Sequence, residues 1–501
     1  MLRKTDSELF TDYLSDCSSL PMGCAEEIVF PQSLQEIRQV LTEFNSKKIK
    51  VTFSGAGTGV VGARIPLSGA VLATDNLNRI IDIKEYGKNG LKTAVVEPGV
   101  RLNELNAYLR TYGLKYLPDP TEKNAFLGGT IATNASGAQG FKFGQTRDHV
   151  LGLQVVLADG NVLDIQRGKY TLNKDLKIRL NDARDISCSL PDFRLPKSKN
   201  SAGYYVGPGT DLIDLFIGQE GTLGMVSLAE IKLVPLPEDV LSAMVYFGKE
   251  DDAVDFGAQL RDVSKRNRNA ADCNVCIDAA CIEFFDNNSL VLLRKKFSGI
   301  PESKTAAIYF EQDILGCGFD DILECYADFL TRAGISDNNI WIAQKQNDRD
   351  KMEKIRYDLP VLINEKVKAN GFSKISTDIA VCDDNAKGMF EYYKSRLKGT
   401  RIPFCIFGHI GENHLHLNLM PETDDDFNKA KQMYTDFVKQ ALLYGGTISA
   451  EHGIGKLKRE YFKLMAGEKA LAGMAKIKSS FDPNLILCPG NIFAPELFDS
   501  L

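Results

Sequence analysis

The sequence predicts a protein of the α+β class with two or three domains. Its 501 residues exceed the roughly 250–300 residues that one hydrophobic core serves. Apolar residues repeat every three and four positions over residues 34–44, which predicts an amphipathic helix, and a strand pattern follows at Ile49–Phe53. Near the C-terminus, two alternating segments, Pro403–Phe407 and His414–Leu419, flank a short loop at residues 410–413 and predict a β-hairpin.

Composition excludes several classes of function. Hydrophobic content of 44% and charged content of 25% are globular values. The net charge of -6 offers no basic surface for nucleic acid, so we expect no nucleic-acid partner. The N-terminus lacks the apolar core of a signal peptide, and no apolar run approaches the length of a transmembrane helix. We therefore expect a cytoplasmic chain with no transmembrane segment. Any association with a membrane would be peripheral and through a partner.

A glycine-rich loop follows the first strand, at Ser54–Ala63. Residues 57–62 match the Gly-x-Gly-x-x-Gly pattern of dinucleotide-binding folds, but that pattern must open a helix. Pro66 and Gly69 follow before a new strand at Ala70–Ala73, so no helix can form there. The glycines still permit close approach of backbone N–H groups to a phosphate. A purely structural turn explains the loop equally well.

Two more segments rich in small residues follow along the chain. The first, at residues 128–137, comes after Pro118–Thr121, and the second is Ile217–Val226. A strand pattern between them ends in the Asp-Gly turn at residues 159–160. Three such loops in one α+β region suggest a long, extended cofactor that lies across several of them.

Histidines concentrate in and after the hairpin: four of the five lie within residues 409–452. In the predicted register His409 lies opposite His414 and diagonal to His416, so all three imidazoles leave one face. Glu451 would complete a set of two histidines and one carboxylate for Zn or a related divalent ion. His452 has an ordinary pKa near 6.5 and is suited to move a proton. The alternative is a group of polar residues on a solvated hairpin.

Eleven cysteines are too few for a disulfide scaffold in a chain of this length. The spacing of Cys273, Cys276 and Cys281 allows a metal or iron–sulfur site as a hypothesis. No fourth ligand stands at a recognised spacing, which disfavours it.

Together these motifs resemble the flavoprotein family of vanillyl-alcohol oxidase, in the branch of D-lactate dehydrogenase, the glycolate oxidase flavin subunit and D-2-hydroxyglutarate dehydrogenase. The resemblance spans residues 28–493, and its most specific segments are Gln219–Gly224 and Glu451–Gly455. It implies an FAD-binding domain of two α+β subdomains, a substrate (cap) domain with an antiparallel sheet and flanking helices, and C-terminal helices that return to the FAD domain. We expect these three parts at residues 20–237, 238–440 and 441–501.

The same resemblance implies which residues contact FAD, with the pyrophosphate at the first glycine loop. The matching positions are Ser54, Gly55, Ala56, Gly57, Thr58, Gly59, Pro118, Asp119, Gly128, Gly129, Thr133, Asn134, Gly137, Glu220, Val226 and Asn491. Members with covalent flavin often carry a histidine in or near the first loop. This chain has none there, so we expect FAD to bind noncovalently.

Family members with a metal imply roles for the histidine cluster. His409, His416 and Glu451 match the ligands of a divalent ion, commonly zinc, which polarises the substrate. His452 matches the general base that takes the hydroxyl proton while hydride passes to the flavin. Asn418 and Arg356 match substrate-binding positions, Arg356 as a bidentate partner for a carboxylate. For Arg356 an ordinary surface arginine on a helix is the alternative, because the tryptophan that usually precedes it is absent.

Three positions depart from the family pattern. His414 replaces an asparagine. Three roles are open for it: an extra metal ligand, a polar substitute or a substrate contact. Ser376 replaces a lysine, which removes an expected carboxylate-binding cation. Asn491 replaces the lysine of an Asn-Pro-Gly-Lys element, here Cys488–Asn491. The departures leave the flavin chemistry expected and the substrate open.

The sequence thus predicts an FAD- and metal-dependent dehydrogenase that oxidises a small D-2-hydroxy acid, such as D-lactate or glycolate, to the 2-oxo acid. Electrons would pass to an electron-transfer flavoprotein, an iron–sulfur subunit or a quinone. The rivals are a flavin oxidase of another alcohol and a non-catalytic flavin-binding subunit of a larger redox complex. The histidine tract differs from that of an ether-lipid synthase, which disfavours that function. A structural zinc module would not explain the glycine loops.

Overall fold

The first sheet joins the N-terminus to the predicted phosphate loop. The structure is a computed structural model that describes residues 1–86, 90–180, 182, 184–270 and 276–500. The sheet has the order β1-β2-β4-β3, with β2, β4 and β3 parallel and β1 antiparallel, and α1 lies between β2 and β3 in the chain. Its elements are β1 (Leu2–Lys4), β2 (Glu27–Phe30), α1 (Leu34–Lys47), β3 (Val51–Ser54) and β4 (Ala70–Ala73). The predicted apolar face of α1 is fully buried, and no helix follows the glycine loop, as the sequence predicted.

A second, antiparallel sheet has the order β5-β6-β12-β8-β9. Its surroundings are four short helices and two small strand pairs, β7 with β13 and β10 with β11. The elements are β5 (Ile80–Tyr86), β6 (Leu91–Val96), α2 (Leu102–Arg110), β7 (Leu114–Lys115), α3 (Leu127–Thr133), α4 (Gly140–Phe143), β8 (Val150–Val156), β9 (Val162–Gln166), β10 (Asp175–Arg179), β11 (Asp185–Ser189), α5 (Leu212–Phe216), β12 (Met225–Lys232) and β13 (Val234–Pro235). The second and third small-residue loops therefore belong to this subdomain.

The third sheet is fully antiparallel, with the order β17-β14-β16-β15-β19-β20-β18 and helices packed around it. Its elements are β14 (Asp239–Phe247), α6 (Glu250–Arg268), β15 (Cys281–Phe285), α7 (Asn287–Arg294), β16 (Ala306–Ile314), α8 (Phe319–Arg332), β17 (Ile340–Ile342), α9 (Gln346–Asn370), β18 (Ile375–Ser376), α10 (Ala386–Leu397), β19 (Phe404–His409), β20 (His414–Leu419) and α11 (Asp424–Leu443). The predicted hairpin is β19–β20, and it lies near one edge of this sheet, with only β18 outside it.

The C-terminal segment returns to the first sheet. After α12 (Arg459–Phe481), Leu487 forms a parallel bridge with Val51 of β3. The Val51 N–H donates to Ile486 O at 2.8 Å, and the Cys488 N–H donates to Val51 O at 2.7 Å. This pairing carries residues 488–491 to the glycine loop. The predicted domain limits at residues 237 and 440 stay predictions.

The cysteine hypothesis receives no support from the described residues. Cys273 lies outside them, and Cys276 forms a disulfide with Cys325, so its sulfur is not free to bind a cluster. Within the described parts of the chain, no helix is both long and apolar enough to span a membrane.

We expect Asp482→Ala to destabilise the protein because Asp482 holds the returning segment in place. Asp482 is fully buried beside Lys478, and its carboxylate accepts from the N–H groups of Ile486 at 3.0 Å and Leu487 at 2.8 Å. Alanine would leave a buried ammonium without its partner, which typically costs about 3–5 kcal/mol. Urea unfolding measures the loss.

The matched control is Asp425→Ala, which breaks another contact between a lysine and an aspartate four residues apart, here largely exposed. A surface change of this kind stays within about 0.5 kcal/mol. Equal midpoints for the two variants would show that Asp482 does not anchor the segment.

Candidate active site

A cavity of about 350 Å³ runs along the predicted FAD residues, within the range usual for small-molecule sites. The same cavity contacts His409, Glu451 and His452, so the glycine loops and part of the histidine cluster face one space. The predicted FAD residues that line it are Ser54, Gly55, Ala56, Gly57, Thr58, Gly59, Gly128, Gly129, Thr133, Gly137, Glu220, Val226 and Asn491.

Three predicted FAD residues are not among those that line the cavity. Pro118 is buried, and Asp119 pairs with Lys123. Asn134 caps the C-terminal end of α3 in the left-handed region, with φ of 50°, and accepts from the N–H of Arg147 at 2.9 Å. A direct contact with FAD stays a prediction for these three residues.

Two glycines show why a flat or anionic group fits the cavity. Gly57 has φ of +79°, and a Cβ there would lie 1.9 Å from Nη1 of Arg64. A Cβ on Gly129 would meet no atom within 4 Å, although Gly129 lines the cavity, so it would point into open space. Glycine at these positions keeps backbone and cavity accessible to a ligand. The residues predicted to contact FAD therefore leave room for such a cofactor.

Arg64 is a cavity residue that sequence reasoning missed. Its Nε donates to Ser54 Oγ at 2.7 Å, and its Nη1 donates to Ser15 O at 3.1 Å. These bonds hold a cation beside the loop predicted to bind the pyrophosphate. The only signal was an arginine two residues after the glycine pattern.

Glu220 and Asn491 tie the parts of the site together. The Glu220 carboxylate accepts from the N–H groups of Ile454 and Gly455, each at 2.7 Å, and burial raises its pKa to about 7. The Asn491 side chain accepts from Lys456 Nζ at 2.6 Å and donates to Glu220 O at 3.0 Å. Both side chains therefore position the loop that carries Glu451 and His452.

The hairpin register is the one the sequence predicted. His409 pairs with His414, and His416 lies two residues further along β20, so the three imidazoles share a face. One donor atom from each of these histidines and one from Glu451 all lie within 4.8 Å of one another. Glu451 Oε2 lies 3.5 Å from His409 Nε2, and Oε1 lies 3.3 Å from His416 Nε2. The predicted metal ligands are brought together.

The outer ring nitrogens of two histidines have fixed partners. His409 Nδ1 lies 2.7 Å from Oε1 of Glu283, and His416 Nδ1 lies 3.2 Å from the carbonyl oxygen of Thr377. Such acceptors favour the tautomer with Nδ1–H, which leaves Nε2 free to bind a metal. In both histidines Nε2 is the atom that faces Glu451.

Charge in the cluster is concentrated on buried carboxylates. Burial alone would raise the pKa of Glu451, but Lys199 and His409 outweigh it and hold that pKa well below its usual range. Burial is likewise outweighed at Glu283, where His409 and Arg356 lower the pKa. At His409, burial is outweighed by Glu283, which raises the pKa to about 9. The carboxylates therefore stay ionised and attract a cation.

Lys199 supplies a positive charge that the sequence did not reveal. Its side chain is only 3% exposed, and Nζ lies 2.9 Å from both Glu412 Oε2 and Glu451 Oε2. These two carboxylates overcome the effect of burial and raise the pKa of Lys199. Lys199 comes from a loop between β11 and α5, so nothing in its local sequence indicated this place.

His452 lies at the boundary between cluster and cavity. Its Nδ1 is 3.2 Å from Oδ2 of Asp378, its Nε2 is 3.5 Å from Oε1 of Glu451, and its side chain is 36% exposed. Asp378 is buried and also accepts from the N–H groups of Glu451 and His452 at 3.2 Å each. Burial would raise the pKa of Asp378, but His452 and Lys458 hold it well below its usual range.

The predicted substrate-binding residues Arg356 and Asn418 are not among the cavity lining. Arg356 is not a surface residue, since its side chain is 13% exposed, and its Nε lies 3.7 Å from Glu283 Oε1. Asn418 is buried opposite Ser376, and its Nδ2 donates to His416 O at 3.4 Å. A direct substrate contact stays a prediction for both.

His414 is the most enclosed member of the cluster. It is fully buried, and burial together with the neighbouring His416 lowers its pKa to about 3.

Glu283 is a further residue of the site that sequence reasoning missed, in addition to Arg64 and Lys199. It did leave a signal, because it is the only charged residue in the apolar strand β15.

The fold and cavity define a flavin-binding oxidoreductase with a histidine and carboxylate cluster beside the cofactor space. Two family models match the chain: "FAD binding domain" over residues 25–166 and "FAD linked oxidases, C-terminal domain" over residues 237–492. The chain belongs to the FAD-linked oxidases, the flavoprotein family of vanillyl-alcohol oxidase. The predicted family and α+β fold are thereby confirmed.

Similar proteins cover nearly the whole chain. The glycolate oxidase subunit GlcD of Bacillus subtilis (strain 168) is 28% identical over 97% of this chain and 92% of its own length. The D-lactate dehydrogenase of Anaerostipes hadrus is 28% identical over 93% and 89%. The D-2-hydroxyglutarate dehydrogenase of Stutzerimonas stutzeri (strain A1501) is 27% identical over 98% and 96%.

Solved structures of alkyldihydroxyacetonephosphate synthase share the fold. One has a TM-score of 0.67 at 17% identity and covers 97% of this chain and 82% of that chain. At this identity the likeness concerns the fold alone.

We expect Gly129→Ala to weaken FAD binding at least tenfold, because the added methyl would enter the cavity beside the glycine loop. In the FAD-free protein the same change should be neutral or stabilising, since Gly129 lies within α3 and alanine favours a helix by about 0.5–1 kcal/mol. Fluorescence titration of FAD-free protein with FAD and thermal unfolding measure the two effects.

The control is Gly248→Ala, at an exposed glycine whose added Cβ also meets nothing within 4 Å but which lies outside the cavity lining. Unchanged FAD affinity in Gly129→Ala would show that the cofactor does not occupy this part of the cavity.

Proposed function

We propose that the protein oxidises a small D-2-hydroxy acid, such as D-lactate or glycolate, to the corresponding 2-oxo acid with bound FAD and a divalent metal ion. The observation that carries the proposal is the single cavity shared by the FAD-binding loops, Glu451 and His452. The relatives described as glycolate oxidase, D-lactate dehydrogenase and D-2-hydroxyglutarate dehydrogenase support the substrate class.

The metal would be held by His409, His416 and Glu451. Both imidazoles direct Nε2 toward the Glu451 carboxylate, within 3.5 Å, and both have their Nδ1 held by another group. Two histidines and a carboxylate suit zinc among other divalent ions. When bound, FAD supplies a two-electron acceptor, and the metal ion supplies a Lewis acid that polarises the substrate.

His452 would take the hydroxyl proton. Asp378 holds Nδ1, so the lone pair on Nε2 is available on the side that faces Glu451 and the cavity. Asp378 also accepts from the backbone N–H groups of Glu451 and His452, so it holds both the backbone and the imidazole of His452. A base near the substrate hydroxyl makes removal of hydride from the adjacent carbon easier.

Arg356 and Asn418 would bind the acid. A guanidinium pairs with a carboxylate bidentately, and Arg356 reaches the cluster through Glu283. Ser376 stands where the family has a lysine, so one cation that could bind a carboxylate is missing, which favours an acid with a small side chain.

We expect FAD to bind noncovalently and electrons to leave to an electron-transfer flavoprotein, an iron–sulfur subunit or a quinone. A cytoplasmic location, with any membrane association through such a partner, stays a prediction.

The first test is anaerobic reduction of the flavin by a panel of D- and L-2-hydroxy acids, followed as loss of absorbance near 450 nm. We expect one or more small D acids to bleach the flavin and their L enantiomers to leave it oxidised. No bleaching by any acid, in protein that contains FAD and metal, would overturn the proposed substrate class.

We expect His452→Ala to retain FAD and metal but to reduce flavin 10²–10⁴-fold more slowly, the usual contribution of a general base. Stopped-flow absorbance under anaerobic conditions measures the rate, and cofactor and metal contents are measured on the same sample. A normal rate with both groups present would remove His452 as the base.

Removal of the metal provides an independent test. Prolonged chelation should abolish flavin reduction by the hydroxy acid and leave the yellow colour, because none of the predicted FAD contacts is a predicted metal ligand, although His409 and Glu451 also reach the cavity. Zn²⁺ or Co²⁺ should restore reduction. Full turnover in protein shown to be metal-free would contradict the metal role.

A further inference from the structure

We propose that His414 is a third histidine ligand of the metal site, so that the ion is held by three imidazoles and one carboxylate. The inference rests on the proposed function, because it extends the ligand set proposed there. His414 replaces the asparagine that the family pattern has at this position. An imidazole reaches further than an asparagine side chain and is a common metal ligand.

All three imidazoles of the hairpin have the same arrangement. The outer nitrogens of His409 and His416 lie beside Glu283 and Thr377 O, and their inner nitrogens face Glu451. In His414 the outer nitrogen is Nε2, 3.1 Å from Asp378 Oδ1, and the inner nitrogen is Nδ1, 3.8 Å from Glu451 Oε2. Metal-binding histidines usually have their second nitrogen held by such an acceptor.

Among the described residues, the inner nitrogen of His414 has no hydrogen-bond partner. His414 is fully buried, and neither ring nitrogen makes a well-aligned hydrogen bond, although Nε2 contacts Asp378. A buried polar atom without a partner destabilises the folded protein. A metal ion between Nδ1 and Glu451 would satisfy this nitrogen.

The separations between the Glu451 carboxylate and the three inner nitrogens agree with a shared ion. Two ligand atoms each about 2.1 Å from a tetrahedral ion lie roughly 3.4 Å apart. The Glu451 carboxylate lies 3.5 Å from the inner nitrogen of His409, 3.3 Å from that of His416 and 3.8 Å from that of His414. His414 therefore requires only a small adjustment to join the set.

Burial distinguishes a ligand from a substrate contact. His409 and His452 line the cavity, whereas His414 is fully buried and is not among the lining residues. A substrate that enters through the cavity would meet the other two imidazoles instead. Burial thus argues against a substrate contact, and the lack of a hydrogen-bond partner for either ring nitrogen in the described part of the chain favours an extra ligand over a polar substitute.

A third imidazole changes which ion the site selects. Nitrogen-rich sites favour zinc, cobalt and related ions over magnesium, calcium or manganese, which prefer oxygen ligands. Four protein ligands also fill a tetrahedral shell, so the hydroxy acid would bind as an added ligand. This chain should therefore hold its metal more tightly and more selectively than a site with two histidines.

The test is metal binding to metal-free protein that retains FAD, with no substrate present. Co²⁺ titration, followed by the visible absorption of bound cobalt, gives the affinity, and X-ray absorption of the Zn²⁺-loaded protein gives the number of imidazoles. The informative variant is His414→Asn, which restores the family residue. We expect it to bind Co²⁺ 10- to 100-fold more weakly and to show two imidazoles in place of three.

Two further variants control the hairpin. Asn413→Gly changes the adjacent turn residue, whose φ of 54° glycine adopts without strain, and should leave Co²⁺ affinity and imidazole count unchanged. His416→Asn should weaken binding at least as much as His414→Asn. Equal affinity and imidazole count in His414→Asn and the unaltered protein would overturn the inference and leave the proposed oxidation intact. If the unaltered protein binds neither metal, both this inference and the proposed metal role are wrong, while flavin bleaching still tests the oxidation separately.

Discussion

The ionised carboxylate of Glu451, buried at the centre of the cluster, is the charge on which the rest of the site depends. Its oxygens lie 2.9 Å from Lys199, 3.5 Å from His409 and 3.3 Å from His416. Taking a carboxylate out of water is costly unless opposite charges and hydrogen-bond donors surround it. Lys199 and the surrounding imidazoles offset that cost, and the resulting group of three histidines and one carboxylate is the metal site proposed above.

Two other buried carboxylates keep Glu451 and its neighbour where they are. Asp378 accepts from the backbone of the loop that carries Glu451 and His452, and Glu220 accepts from the next two N–H groups of that loop, at Ile454 and Gly455. Asp378 comes from the cap sheet region and Glu220 from the glycine loop of the second subdomain. The loop therefore couples the cofactor side of the cavity to the hairpin.

Proteins of much lower sequence similarity share the fold of this chain. The synthase structure shares the fold at 17% identity, while the hydroxy-acid enzymes are similar in sequence at 27–28% identity. The departures from the family pattern lie in two places. His414 and Ser376 are on neighbouring strands of the third sheet, whereas Asn491 lines the cavity beside the glycine loops.

The sequence by itself determined the hairpin register, because strand alternation is a local property of the chain. The family and the α+β fold followed from the resemblance of its glycine and histidine motifs, and the FAD contacts of the glycine loops stay predictions. Only the tertiary structure decided which charged side chains of the site contact one another. Lys199 meets Glu451 across 252 positions, and His409 meets Glu283 across 126, contacts that no local pattern contains. Arg356, for which a surface position was the alternative to a substrate contact, is largely buried beside Glu283, so the surface alternative is wrong and the substrate contact stays a prediction. Burial and charge pairing depend on how distant segments pack, and packing is a property of the whole folded chain.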